Sequence, residues 1–152
     1  MTNNKQSPQG QLVLRTLAMP SDTNPAGQVF GGWIMSQMDL GGGMLAQEIA
    51  RGRTVTVNAS SISFLKPASV GDVICCYARC LKTGTSSITI ATEIWVKKVA
   101  DTSTTSQRYC ITEAEFTYVC VDKHGKTRSL PEQLQKYDCE KDNIEKLGLS
   151  HC

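Results

Sequence analysis

Histidine occurs only twice in the 152 residues, at His124 within a turn-forming DKHGK stretch and at His151 near the C-terminus. No GxSxG elbow, Walker loop, GxGxxG or HExxH pattern is present. A Ser-His or Cys-His nucleophilic site would have to be assembled from loose ends, and no His/Cys cluster has the spacing of metal ligands. The seven cysteines are odd in number and contain no CxxC pair, and Cys75, Cys76 and Cys80 fall inside a strand-like run. They read as reduced thiols serving as small apolar side chains, which predicts a reducing, cytoplasmic compartment. Long apolar runs are also missing. The opening MTNNKQSPQGQ has neither a basic nor an apolar signal region, and no segment approaches the roughly eighteen apolar residues that span a bilayer. The expectation is therefore a protein neither secreted nor membrane-bound. An excess of one charge is absent as well: 16 Lys plus Arg against 14 Asp plus Glu leaves +2, which predicts no nucleic-acid or anionic-membrane partner.

What remains is enough for one domain, with 40% hydrophobic residues to form a core. Residues 11–19 form a strand-like run and 20–28, PSDTNPAGQ, a loop dense in turn formers. From Phe30 to Ala50 the apolar period changes: Ile34, Met38, Leu45 and Ile49 make one helical stripe. Segment 53–67 alternates as a strand whose phase slips, with Val55, Val57 and Ala59 on one parity and Ile62 and Phe64 on the other, so a β-bulge is predicted at Ser60–Ser61. Strands follow at 73–82 and 86–98, joined by a short hairpin connection. In the second, Ile88, Ile90, Ile94 and Val96 oppose Thr89, Glu93 and Lys97, the pattern of a half-buried antiparallel strand. A polar loop at 99–107 leads to a closing strand at 108–122. The resulting plan is a flexible N-terminus at 1–10, one domain at 11–130, and a charged tail or helix at 131–152 around Leu134, Ile144 and Leu147. One long helix cannot cover both faces of a sheet, so the class is α+β, an antiparallel sheet wrapped on a single helix. Pairing of subunits would cover the remainder.

Chemistry and composition coincide in DTNPAGQVFGGWIMSQMDLGGG, residues 22–43. Gly31 and Gly32 fall at the helix N-terminus, where unpaired N–H groups and a positive dipole end can receive a carbonyl oxygen or phosphate. The alternative is that they only let the helix start close to a strand. Asp39 sits mid-helix beside the apolar stripe, among Met35, Met38, Leu40, Gly42 and Gly43, two turns from the glycine pair. A carboxylate there suits general-base or nucleophilic attack on a carbonyl; otherwise it is an acid favoured by the dipole or bonded to a neighbouring strand. Gly41, Gly42 and Gly43 each cost the helix about 1 kcal/mol relative to Ala, which points to close packing against a second backbone, in a strand or in another subunit. Asn24 is either a turn residue holding its own backbone or an amide that holds a water or a carbonyl oxygen. For an anionic ligand, Lys66, Arg79, Lys82, Lys97 and Lys98 stand near strand ends, and GTSS at 84–87 offers small residues and N–H groups; each alone reads equally as a solubilising charge or a turn.

Taken together, LRTLAMPSDTNPAGQVFGGWIMSQMD, then VTV, FLKPASVGDVICCYARC and GTSSITIATEIWVKK resemble the bacterial YciA-like acyl-CoA thioesterases over about residues 9 to 131. The resemblance implies a hotdog fold, a five-stranded antiparallel sheet around one long central helix, in dimers that commonly assemble as a hexamer, a trimer of dimers. It implies hydrolysis of fatty acyl-CoA to free fatty acid and CoA, with no cofactor or metal, CoA being part of the substrate. The catalytic acid falls on Asp39, the Asn of the DTNxxG motif on Asn24, working across two hotdog units, and the polarising amides on Gly31 and Gly32. The substrate and CoA contacts expected are Phe64, Lys66, Pro67, Lys82, Gly84, Thr85, Ser86 and Ser87, with the phosphates near Lys66, Lys82 and the GTSS turn. The alternatives are a non-catalytic acyl-CoA-binding or assembly module of the same fold, or a hotdog dehydratase, which would need a histidine beside the helix.

Overall fold

The computed structural model describes residues 6–98 and 107–139. The predicted loop at 99–107 falls outside them except for Gln107, as do Ile144, Leu147, His151 and Cys152. The elements run β1 (Gln11–Leu17), α1 (Gly31–Ala50), β2 (Thr54–Phe64), β3 (Asp72–Thr83), β4 (Ser87–Lys98) and β5 (Tyr109–Cys120), with short 3-10 turns at Pro20–Asp22 and Glu132–Leu134. The strands form one antiparallel sheet in the order β1-β3-β4-β5-β2. The single helix touches all five strands. No helix among the described residues is long and apolar enough to cross a membrane.

The predicted stripe is what α1 buries: Ile34, Met38, Leu45 and Ile49 are all inaccessible, packed against Ile74, Ile90, Ile94 and Phe116 of the sheet. Full burial of each such side chain stabilises by about 1.5–3 kcal/mol. The glycine run has a different explanation from the one expected. A Cβ on Gly41 would stand 2.8 Å from Val13 Cγ2 and 3.0 Å from Cys76 Sγ, and one on Gly42 would stand 2.7 Å from the Tyr118 hydroxyl. The helix is thus pressed onto sheet side chains, not onto a second backbone. Gly43 has only an ordinary 3.6 Å contact. Gly43→Ala should therefore raise stability by about 1 kcal/mol through helix propensity, whereas Gly41→Ala should lower it by roughly 1–3 kcal/mol through overpacking. Thermal unfolding of the two variants checks the opposite signs.

β4 departs from the half-buried pattern, because Thr89 and Glu93, expected on a solvated face, are buried. As the central strand it is covered on both sides. On the face away from α1, Cys75, Tyr77, Trp95 and Cys110 form a second small cluster with Val73 beside it. Glu93 accepts the Gln9 N–H at 3.1 Å, and a Cβ on Gly10 would strike Ala78 O, so the end of the predicted flexible N-terminus lies against the sheet. Among the described residues, Cys75, Cys76, Cys80, Cys110, Cys120 and Cys139 form no disulfide. Burial, with Cys75 alongside, pushes the Cys76 thiol up to about 12. A hydrogen bond with Cys139, then burial, raises that of Cys80 further. Both are held as unreactive thiols.

β2 slips twice against β5, between Ser60 and Ser63 as predicted and also between Thr56 and Asn58. The first slip carries Ser61 at φ 54, the left-handed region. The second overturns the single-face reading of Val55, Val57 and Ala59: Val55 lies opposite Val119, but Ala59 lies opposite Phe116 on the helix side. Residues 131–139 also pack onto the domain. Leu130 and Leu134 are buried, Thr83 Oγ1 donates to Leu134 O at 2.6 Å and accepts the Tyr137 N–H at 2.9 Å, and the Cys139 N–H reaches Leu81 O at 3.0 Å. Residues 130–139 are thereby strapped onto the β3–β4 turn.

Candidate active site

The second slip of β2 has a chemical consequence: it sets Thr56, though exposed, opposite Tyr118 on the side of the sheet that faces α1. Both hydroxyls then meet Asp39 on α1. Thr56 Oγ1 donates to Asp39 Oδ1 at 2.6 Å, and the Tyr118 hydroxyl lies 3.1 Å from Oδ1 and 2.9 Å from the Asp39 carbonyl oxygen. Among the described residues no donor reaches Oδ2. The half-buried carboxylate therefore has one oxygen held and one available. Burial, reinforced by the negative charge of Asp39, raises the Tyr118 phenol well above its ordinary value, so it remains a donor. Neither Thr56 nor Tyr118 stood out in the sequence. The available signal was Tyr118 on the buried parity of Phe116 and Cys120, where a phenol needs a partner for its hydroxyl.

At the helix start the Ile34 N–H bonds to Phe30 O at 3.1 Å, and the N–H groups of Gly31, Gly32 and Trp33 have no backbone partner among the described residues. No acid occupies the first turn and no side chain caps it. A Cβ on Gly31 would stand 3.2 Å from the Phe64 ring, but one on Gly32 would meet nothing within 4 Å. Gly31 thus makes room for Phe64, whereas Gly32 faces open space.

Asn24 holds its loop in the manner of a turn asparagine. Its Oδ1 accepts the N–H groups of Ala26 at 3.0 Å and Gln28 at 3.1 Å, while its amide nitrogen has no partner among the described residues. The structural role and an available donor thus coexist in one side chain.

Within one chain these groups do not converge. Asp39 lies eight residues along α1 from Gly31, about 12 Å at 1.5 Å per residue. A reacting carbonyl would need both within about 3 Å. The expected CoA set is divided as well. Leu65 and Lys66 donate their N–H groups to Ile111 O, and the Lys66 ammonium lies 5.3 Å over the Tyr109 ring, which places Phe64, Lys66 and Pro67 near the start of β5. The GTSS turn lies at its other end, where Ser86 O accepts the Cys120 N–H; nine residues of strand separate the two places by about 30 Å. Within one chain, therefore, Lys66 and GTSS do not gather around one phosphate. Two carbonyls of the turn are also occupied by the strap, Gly84 O by the Lys136 N–H and Thr85 O by the Leu130 N–H, and Gly84 N–H bonds to Ser87 O. The backbone of Lys82 pairs with that of Asp138 as an isolated antiparallel bridge. On the other face of the sheet, Glu93, Cys110 and Glu113 bring donor atoms within 4.8 Å of one another, away from Asp39. His124 sits in the Asp122–Lys126 turn, its N–H bonded to Asp122 Oδ1.

Residues 26–102, a span that includes Gly31, Gly32, Thr56 and Asp39, match the thioesterase superfamily. The acyl-CoA thioester hydrolase YciA of Salmonella typhimurium is 62% identical over 133 residues, covering 88% of this chain and 99% of that protein. The chain belongs to the thioesterase superfamily, among its YciA-like members. Similar solved structures in this family include a hexameric broad-specificity acyl-coenzyme A thioesterase, at TM-score 0.80 and 54% identity over 96% of this chain and 92% of that one. Another is a hexameric hotdog-fold thioesterase of Campylobacter jejuni, at TM-score 0.77 and 40% identity over 82% of this chain and 93% of that one. The sheet order and central helix described above are this family's hotdog fold.

Proposed function

We propose that this chain hydrolyses the thioester of fatty acyl-CoA to free fatty acid and CoA in a homo-oligomer built from dimers, a hexamer like its relatives. The observation that carries the chemistry is the carboxylate of Asp39, with Oδ1 held by two hydroxyls and Oδ2 available. Oδ2 either takes a proton from an attacking water or attacks the carbonyl carbon itself, forming a mixed anhydride that water then opens. In either case negative charge develops on the thioester oxygen, and the N–H groups of Gly31 and Gly32 are suited to receive it. Their 12 Å offset from Asp39 along one helix is resolved by taking the acid from one subunit and the amides and Asn24 from its partner. A two-fold axis then makes two equivalent sites. The same pairing is the route by which Lys66 of one chain and the GTSS turn of another approach one CoA. Collapse of the tetrahedral adduct breaks the C–S bond and expels CoA as its thiolate, which takes up the proton released from water, and CoA enters only as part of the substrate.

A thiol-release assay over acyl-CoAs of increasing chain length tests this reading. Stoichiometric free thiol and fatty acid are expected for several chain lengths; saturable binding without thiol would assign the chain to acyl-CoA binding alone. A single turnover in oxygen-labelled water separates the two chemical routes, since label enters the enzyme carboxylate only if Asp39 attacks directly.

A further inference from the structure

We infer that Tyr118 is a positioning residue for the reaction: its hydroxyl fixes the rotamer of Asp39 so that Oδ2 alone faces the substrate, and Gly42 is a glycine to admit that hydroxyl. The inference rests on the reading of Asp39 as the catalytic carboxylate. Three observations support it. The Tyr118 oxygen spans the main-chain carbonyl and the Oδ1 of one residue, at 2.9 and 3.1 Å, so it restrains the side chain against its own backbone. Both atoms it meets accept, so Tyr118 donates its single proton between them while Thr56 donates to Oδ1, and Oδ1 is contacted from two strands while Oδ2 is left to the reaction. A Cβ at Gly42 would come within 2.7 Å of the Tyr118 oxygen, with Thr92 Cγ2 next at 3.2 Å and the ring carbon Cζ at 3.5 Å, so the hydroxyl is the group that a methyl there would displace first.

A carboxylate on a helix rotates about χ1 and χ2, and exchange of its two oxygens would spread the base over several directions. Holding one oxygen converts it into a single directed group, which is how orientation contributes to rate. Burial on β5 keeps the phenol rigid, since Tyr118 is 1% exposed and lies beside Phe116, with ring centroids 6.4 Å apart. The ring therefore packs with the core while the hydroxyl acts on the site.

The test uses the full-length oligomer and three variants: Tyr118→Phe, Gly42→Ala and the two combined. Tyr118→Phe should lower kcat on acyl-CoA by about 10- to 100-fold with KM within about twofold, because the loss is one of orientation and not of substrate binding. Gly42→Ala should lower both kcat and the melting temperature, by displacing the hydroxyl. In the double variant the melting temperature should recover toward that of Tyr118→Phe, since the colliding oxygen is gone, while kcat stays low. A purely structural role for Tyr118 predicts that rate and stability recover together, and that outcome would overturn the inference. So would a Tyr118→Phe enzyme with normal kcat. Introducing Tyr118→Phe into an Asp39→Asn background separates the two readings. If Asp39→Asn abolishes turnover and Tyr118→Phe adds nothing, both stand; if Asp39→Asn is fully active, the reading of Asp39 fails first.

Discussion

Asp39→Asn is expected to lower kcat on acyl-CoA by about a thousandfold, equivalent to about 4 kcal/mol of transition-state stabilisation, while leaving fold and assembly intact. Asparagine is nearly the same size and its carbonyl oxygen can still accept from Thr56 and Tyr118, so the packing of α1 on β2 and β5 survives. What is lost is the free oxygen's ability to take a proton or to attack. Steady-state thiol release beside circular dichroism and sizing of the variant checks this; a folded variant with wild-type kcat would remove Asp39 from the mechanism. Affinity for CoA should change little, because the amides and basic groups assigned to it are elsewhere.

The second large effect concerns Asn24, and the informative variant is Asn24→Asp. Aspartate retains the oxygen that accepts the Ala26 and Gln28 N–H groups, so the loop before α1 remains formed. It loses the amide nitrogen, the only part of the side chain left for substrate or water. A fall in kcat of two orders of magnitude or so is expected, with thermal stability close to that of the parent. Alanine would confuse the two roles by breaking the turn as well. Because Asn24 and Asp39 are assigned to opposite subunits, co-expression of Asn24→Asp and Asp39→Asn chains should restore activity. Half of randomly formed dimers are mixed and each mixed dimer has one intact site of two, so about a quarter of wild-type activity should return from two nearly inactive variants. If the two residues worked within one chain, no mixture would recover.

The central helix was readable because Ile34, Met38, Leu45 and Ile49 repeat at its period, and all four are buried. The strands were readable from alternation wherever one face is apolar. β4 misled because alternation reports two different faces, and here a second cluster around Trp95 buries the more polar one. The site was half legible. Asp39 stood out as an acid beside an apolar stripe, but Thr56 and Tyr118 depend on the slip between Thr56 and Asn58, a change of register that a stretch as polar as TVTVNASS does not disclose. The glycines at 41 and 42 announced close packing without naming the partner, which turned out to be valine, cysteine and tyrosine side chains. The proposed CoA groups were chosen by charge and turn chemistry alone. Such local signals carry no information on distance, and within one chain they fall at opposite ends of a strand.

At the far end of α1, Arg128 donates from Nη2 to Ala50 O at 2.8 Å, in a space that a Cβ on Gly52 would close to 2.6 Å. Its Nε reaches Val121 O at 3.3 Å. A fixed guanidinium thus sits on the negative pole of the helix, while the opposite pole has no acidic residue in its first turn. Electrically, the helix is a rod earthed at one end. In the proposed reaction, charge that develops at the other end meets a pole that no first-turn acid or capping side chain among the described residues has already quenched.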